Sequence, residues 1–156
     1  MEVNGYKIEP GANLCSANLR GADLSYTNLQ NADLSYTNLL SADLTGANLL
    51  SADLTGAILT GAILTDADLR GANLTGADLA AANLAAANLT RANLTGADLC
   101  GADLQGANLT GADLTAADLT AAILTGVNLL SADLLSADLT GANLLGATMP
   151  DGTIHD

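Results

Sequence analysis

Ala12-Asn13-Leu14-Cys15-Ser16-Ala17-Asn18-Leu19-Arg20-Gly21-Ala22-Asp23-Leu24 sets the pattern for nearly the whole chain. Leucine returns at every fifth residue, without a miss, from Leu14 to Leu144, 27 times in all. Alanine stands two positions before nearly every one, and Asp or Asn nearly always lies between them. So strict a repeat has to be read before any local propensity. An α-helix turns about 100° per residue, so a step of five turns about 140° and spreads leucine round the whole cylinder. A straight strand alternates faces with period two and puts residues five apart on opposite sides. The period therefore requires a chain that turns once per pentad. If each turn is about a quarter circle, four pentads close a coil of roughly 20 residues, with every Leu and its Ala pointing inward.

The repeat resembles the pentapeptide-repeat family, of the cyanobacterial type, with consensus Ala-(Asp/Asn)-Leu-x-x. The likeness runs from about Gly11 to Met149. It implies an all-β fold without an α-helical core: a right-handed, quadrilateral β-helix solenoid of about seven coils. At a strand spacing of about 4.8 Å the rod would be ~34 Å long. One domain is expected, with residues 1–10 as an N-terminal cap, 11–149 as the β-helix and 150–156 as a C-terminal tail. Glycine is common two positions after Leu (Gly46, Gly56, Gly61, Gly71, Gly76), where a corner calls for positive φ.

The ends break the period. Val3, Tyr6 and Ile8 alternate with polar residues before Pro10-Gly11, which reads as a lid over the first coil. At the other end the repeat decays through Met149-Pro150, and Ile154 is expected to tuck back over the last coil. A stacked solenoid needs such covers. The lone His155 in this tail reads as solvated.

The formal charge is −13, with no Trp and no Phe. A solenoid needs neither, because each leucine layer packs on the next. Mean hydropathy is +0.32. Yet the longest uncharged stretches, Leu119–Ala132 and Leu54–Thr65, are shorter than the ~18 residues of a spanning helix. The start lacks an apolar signal core, so a cytoplasmic protein is expected. Cys15 and Cys100 fall on adjacent faces ~20 Å apart in the coil, too far for a disulfide, and free thiols suit a reducing compartment.

No residue is expected to be catalytic, or to hold a cofactor or a metal. One histidine and no phosphate-binding motif do not make an enzyme site. The outer surface offers two features instead. One face stacks Asp78, Asp98, Asp118 and Asp138, and the adjoining face adds Asp113 and Asp133. No Lys or Arg follows Arg91. Like charges opposed across strands repel, so a strained ladder would carry raised carboxyl pKa values and a melting temperature higher near pH 5.5 than near pH 8. The plainer reading is that these charges keep the rod soluble. The second feature is apolar: Leu130, Leu135 and Leu145 in the last coils, and Ile58 and Ile63 where Asp or Asn is usual.

Three readings follow. The first is a rigid acidic rod, a structural or interaction module whose partner is a protein rather than nucleic acid or membrane, and which is a monomer or an end-to-end homodimer. The second is DNA mimicry toward a DNA-processing enzyme such as a type II topoisomerase. The resemblance implies it, because the family includes gyrase-binding, quinolone-resistance proteins. The chain lacks their frequent core Phe, projecting loops and helical C-terminal dimerisation segment, so no inhibitory residues carry over. The third is divalent-cation binding along the Asp ladder.

Overall fold

A computed structural model describes all 156 residues. Parallel backbone bridges join residues twenty apart, from Asn13↔Asp33 to Asn128↔Thr148. They form four columns, one per side, each running through the residue before Leu. The chain is a four-sided β-helix. Its sides are too short for extended strands, and the two strands present are β1 (Glu2–Val3) and β2 (Tyr6–Lys7).

A two-way exchange joins successive turns. The Leu84 N–H donates to the Asp103 carbonyl at 2.6 Å, and the Asp103 N–H donates back to the Ala82 carbonyl at 2.9 Å. Each corner closes with a bond from Ala to the Leu three residues earlier, as from Ala87 N–H to Leu84 C=O at 3.0 Å. The residue two after each repeat Leu has φ between 55° and 70° at every corner. Glycine suits that region, but Tyr26, Tyr36, Ala81 and Ala116 are held in it as well. The ladder on either side over-determines the corner.

Leu and Ala fill the rod with 48 buried apolar residues in one cluster. The leucines from Leu19 to Leu129 are at most 1% exposed. Thr37 replaces Ala in this lining, and its buried hydroxyl donates to the Leu14 carbonyl at 2.7 Å.

The turn leaves one donor over: the N–H of the residue after Leu has no carbonyl to reach. The side chain before Leu accepts it. At all 24 Asp and Asn residues of the repeat, Oδ1 takes the N–H two residues on; the other three positions are Ile58, Ile63 and Ile123. This is the Asx turn, which only those two side chains build well. Beyond the isoleucines, the N–H groups of Thr60, Thr65 and Thr125 find no protein acceptor.

The same bond acts on the charge of Asp. Hydroxyl and backbone donors from Ser25, Ser35, Thr115, Thr140 and Thr153 hold the carboxyls of Asp23, Asp33, Asp113, Asp138 and Asp151 below the ordinary 3.8. The Arg70 side chain does so for Asp68. The raised values expected for a strained ladder are therefore reversed at Asp113 and Asp138. Donors that favour the charged form outweigh the desolvation that slight burial imposes.

At the N-terminus, Asn4 and Gly5 have φ of 52° and 82°, and β1 pairs with β2 through Glu2↔Lys7 and Val3↔Tyr6. Two positive φ values are what a two-residue type I′ hairpin requires. Ile8 is buried, and Val3 and Tyr6 pack against the core. At the C-terminus the tail pairs along one side only. Thr148 bridges Ile154, Gly146 N–H donates to His155 C=O, and Met149 N–H to Thr153 C=O, both at 2.7 Å. Ile154 does not tuck over the last turn as expected: it lies at the edge, 58% exposed. Antiparallel pairing with Thr148 holds it beside the rod rather than across its end. Leu134, Leu139 and Leu144 are left only partly covered.

Two outcomes follow. Asn88→Ala removes the acceptor of the Thr90 N–H and hydroxyl without changing charge, and should cost about 0.5–1.5 kcal/mol. A denaturant midpoint equal to wild type would contradict the assigned role. The pH profile follows from the depressed carboxyls. They stay ionised to lower pH in the folded chain than in the unfolded one. Their contribution is thus complete above the ordinary value and is lost as pH falls through the folded values. The melting temperature should be level from pH 8 to 5.5 and fall on acidification below about pH 5. A rise between pH 8 and 5.5 would reinstate the strained ladder.

Candidate functional site

The acidic face is built by the ladder itself. Bridges Asp78↔Asp98, Asp98↔Asp118 and Asp118↔Asp138 stack four carboxylates on one side, and Asp113↔Asp133 stacks two on the next. Asp78 is half-buried and its Oδ2 accepts the Thr60 hydroxyl at 2.8 Å. Asp98, Asp118, Asp133 and Asp138 are exposed. One oxygen of each carboxylate is tied to the backbone, at 2.9 Å from Cys100 N for Asp98 and from Thr120 N for Asp118. At Asp98, Asp118, Asp133 and Asp138 the second oxygen is left to face a partner, whereas that of Asp78 is taken by Thr60. The chain's two ion pairs, Lys7–Glu9 and Arg70–Asp68, lie elsewhere.

A row is not a chelate. A calcium site gathers about 6–8 oxygens around one point, whereas no three His, Cys, Asp or Glu side chains converge here. The cation reading of the ladder finds no converging donor set in this geometry.

The apolar candidates divide. Ile58 and Ile63 are about two-fifths exposed on adjoining sides, between Asn38 and Asp78 in one column and Asp43 and Asn83 in the other. Leu130, Leu135 and Leu145 belong to the far end, where Leu135 and Leu145 are 66% and 60% exposed. The tail lies against Leu130: a Cβ on Gly152 would sit 3.6 Å from its Cδ1. These leucines join Ile154 and the part-covered Leu134, Leu139 and Leu144 in one apolar end. The isoleucines stand apart from it.

Two surface residues escaped the sequence reading. Tyr26 and Tyr36 project from corners, and their rings lie over Gly46 and Gly56, where an added Cβ would come within 2.6 Å of a ring carbon. The signal was the paired Ser-Tyr-Thr-Asn-Leu at 25–29 and 35–39, followed twenty residues after each Tyr by Gly. The rod carries no pocket, both cysteines are free and exposed, and no helix is long and apolar enough to cross a membrane.

The sequence matches the family described as pentapeptide repeats in eight copies, through overlapping segments that together run from residue 10 to 149. No curated protein matches. Among solved structures, the chain is similar to HetL, a pentapeptide repeat protein involved in heterocyst differentiation regulation from Nostoc sp. strain PCC 7120. That match has 39% identity over 94% of this chain and 86% of HetL, with a TM-score of 0.40. It is also similar to the pentapeptide repeat protein Rfr23 from Cyanothece 51142, at 26% identity over 93% and 90% of the two chains and a TM-score of 0.52. QnrB1, a plasmid-mediated fluoroquinolone resistance protein, shares the fold at 23% identity, over 84% and 80% of the chains, with a TM-score of 0.52. The repeat, the four bridged columns and the likenesses to Rfr23 and QnrB1 agree on a right-handed quadrilateral β-helix, and the chain belongs to the pentapeptide-repeat family.

Proposed function

We propose that this protein is a non-enzymatic, rigid acidic rod that offers a flat face to a protein partner. The observation that carries the reading is the carboxylate face of Asp78, Asp98, Asp118 and Asp138 with Asp113 and Asp133, stacked at the strand spacing and without an ion-paired base. The Asx bonds fix these side chains before any partner arrives, so binding costs little rotamer entropy. A basic protein surface complements them, whereas nucleic acid is repelled. Exposed, free Cys15 and Cys100 suit a reducing cytoplasm.

A second reading has one observation in its favour. The formal charge of −13 over ~34 Å of rod is about one charge per ~2.6 Å, against roughly 1.7 Å for duplex DNA. A DNA-processing enzyme such as a type II topoisomerase is the partner that spacing would suit.

The test is capture from host lysate at low salt and at about 0.5 M salt, where screening is short-ranged. The control is the double variant Asp98→Lys/Asp118→Lys. The expected result is a partner lost at high salt and weakened at least roughly tenfold, about 1.4 kcal/mol, by the variant. A DNA-processing enzyme as that partner selects the mimicry reading. A partner held equally by both proteins in both salts contradicts an acidic recognition face.

A further inference from the structure

The last turn lacks, on three of its four sides, what every earlier turn has. In those turns the repeat Leu and the corner residue each donate to the carbonyl nineteen positions on, as Leu84 does to Asp103 and Ala86 to Gln105. The N–H groups of Leu134, Ser136, Leu139, Gly141 and Leu144 have no such acceptor, and the carbonyls of Ala132, Ala137 and Ala142 receive no N–H. The tail serves the fourth side alone, through Gly146, Ala147 and Met149.

The first turn shows the complement. The carbonyls of Asn13, Cys15, Arg20 and Asp23 are unused, and that of Asn18 takes only the Asn4 amide at 3.4 Å. Stepping on by the twenty-residue offset assigns each missing acceptor to one of them in a following copy. Leu134 would donate to Asn13, Ser136 to Cys15, Leu139 to Asn18, Gly141 to Arg20 and Leu144 to Asp23. The idle alanine carbonyls meet the N–H groups of Asn13, Asn18 and Asp23 in the same register. Leu134, Leu139 and Leu144 would then be covered by Leu14, Leu19 and Leu24.

We propose that the open end docks the first turn of a second copy of this chain, so that copies join head to tail in the rod's own register. The inference does not rest on the acidic-face reading. Tail-to-tail pairing is disfavoured on two counts. Each open end offers five N–H groups against three carbonyls, so two such ends meet with donors in excess. Each end also carries Asp133, Asp138, Asp151 and Asp156 without a Lys or Arg, while residues 1–30 set Lys7 and Arg20 against Glu2, Glu9 and Asp23. Two elements stand in the way and must lift. One is the β1–β2 hairpin, bonded at Asn18 at 3.4 Å from Asn4 and to Tyr6 and packed over the first turn with Val3, Tyr6 and Ile8. The other is the tail, which occupies the places of Ser25 and Asn28 of the incoming turn. Docking is thus gated by the two ends of the chain.

Cys15 supplies the test. In the docked pair it stands one rung beyond Leu135, which is exposed. A rung of about 4.8 Å lies inside the ~4.4–6.8 Å Cα range of a disulfide. Within one chain the same positions are ~29 Å apart and cannot join. Leu135→Cys is made in full-length protein carrying Cys100→Ser, oxidised with oxidised glutathione and peptide-mapped. The expected linkage joins the sulfur introduced at position 135 to Cys15 of another copy, in ladders that extend beyond dimers. Tyr6→Ala, which loosens the hairpin, should raise the yield several-fold. A 135-to-135 linkage alone would show tail-to-tail pairing and overturn the proposal. Mixed disulfides with glutathione on unlinked monomers would overturn it as well. An unchanged yield with Tyr6→Ala would remove the hairpin from the gate.

Discussion

A chain that turns every five residues has to satisfy its backbone at every turn, and this constraint shapes the rest. Of the five N–H groups in each repeat, three are met by the neighbouring turns, as those of Leu84, Ala86 and Asp103 are by the carbonyls of Asp103, Gln105 and Ala82, and the alanine closes on the Leu carbonyl of its own corner. The fifth, the N–H after Leu, is met by a side chain of its own turn. Buried Leu and Ala supply the non-directional cohesion. The Asx acceptor completes the quarter turn at every corner except those after Ile58, Ile63 and Ile123. The residue between Ala and Leu is thereby a structural position first and a surface position second.

That double duty explains how the rod can be so acidic. Asp and Asn accept the same N–H, so charge can vary along a column without altering the turn: Asn18 and Asn38 at one end give way to Asp98, Asp118 and Asp138 at the other. The turn requires an acceptor and does not specify its charge, which leaves charge open to other demands. Polarity along the axis is the second consequence. Unused carbonyls outnumber unused N–H groups at the N-terminal end, and N–H groups outnumber carbonyls at the C-terminal end, the reverse of an α-helix. The ends are chemically distinct and complementary.

The fold was legible because the Leu14–Leu144 period admits few chains, and the positive-φ corners could be read from Gly46, Gly56, Gly61, Gly71 and Gly76. The columns of candidate residues followed from the twenty-residue coil. Other features were not legible, for physical reasons. An aspartate that caps a backbone N–H looks in sequence like one that keeps a rod soluble, so the lowered carboxyl pKa at Asp113 and Asp138, opposite to what a strained ladder would carry, could not be read there. The Asn4-Gly5 hairpin did carry a local signal, its two residues that tolerate positive φ, beneath the more obvious alternation of Val3, Tyr6 and Ile8. Ile154 reads as apolar and hence as inward. Whether a terminal segment crosses an end or runs along an edge depends on which backbone groups are free, and no side-chain pattern encodes that.

Residue-resolved amide hydrogen exchange in the native protein tests the account most directly. In the undocked chain the account predicts strong protection of the repeat-leucine amides from Leu19 to Leu129 and little protection at Leu134, Leu139 and Leu144, which gain acceptors only when a second copy docks. It also predicts faster exchange after the isoleucines, at Thr60, Thr65 and Thr125, than at Thr75, Thr90 and Thr110, whose N–H groups have Asn acceptors. Equal protection of these two threonine sets would contradict the claim that the side chain before each leucine closes the turn.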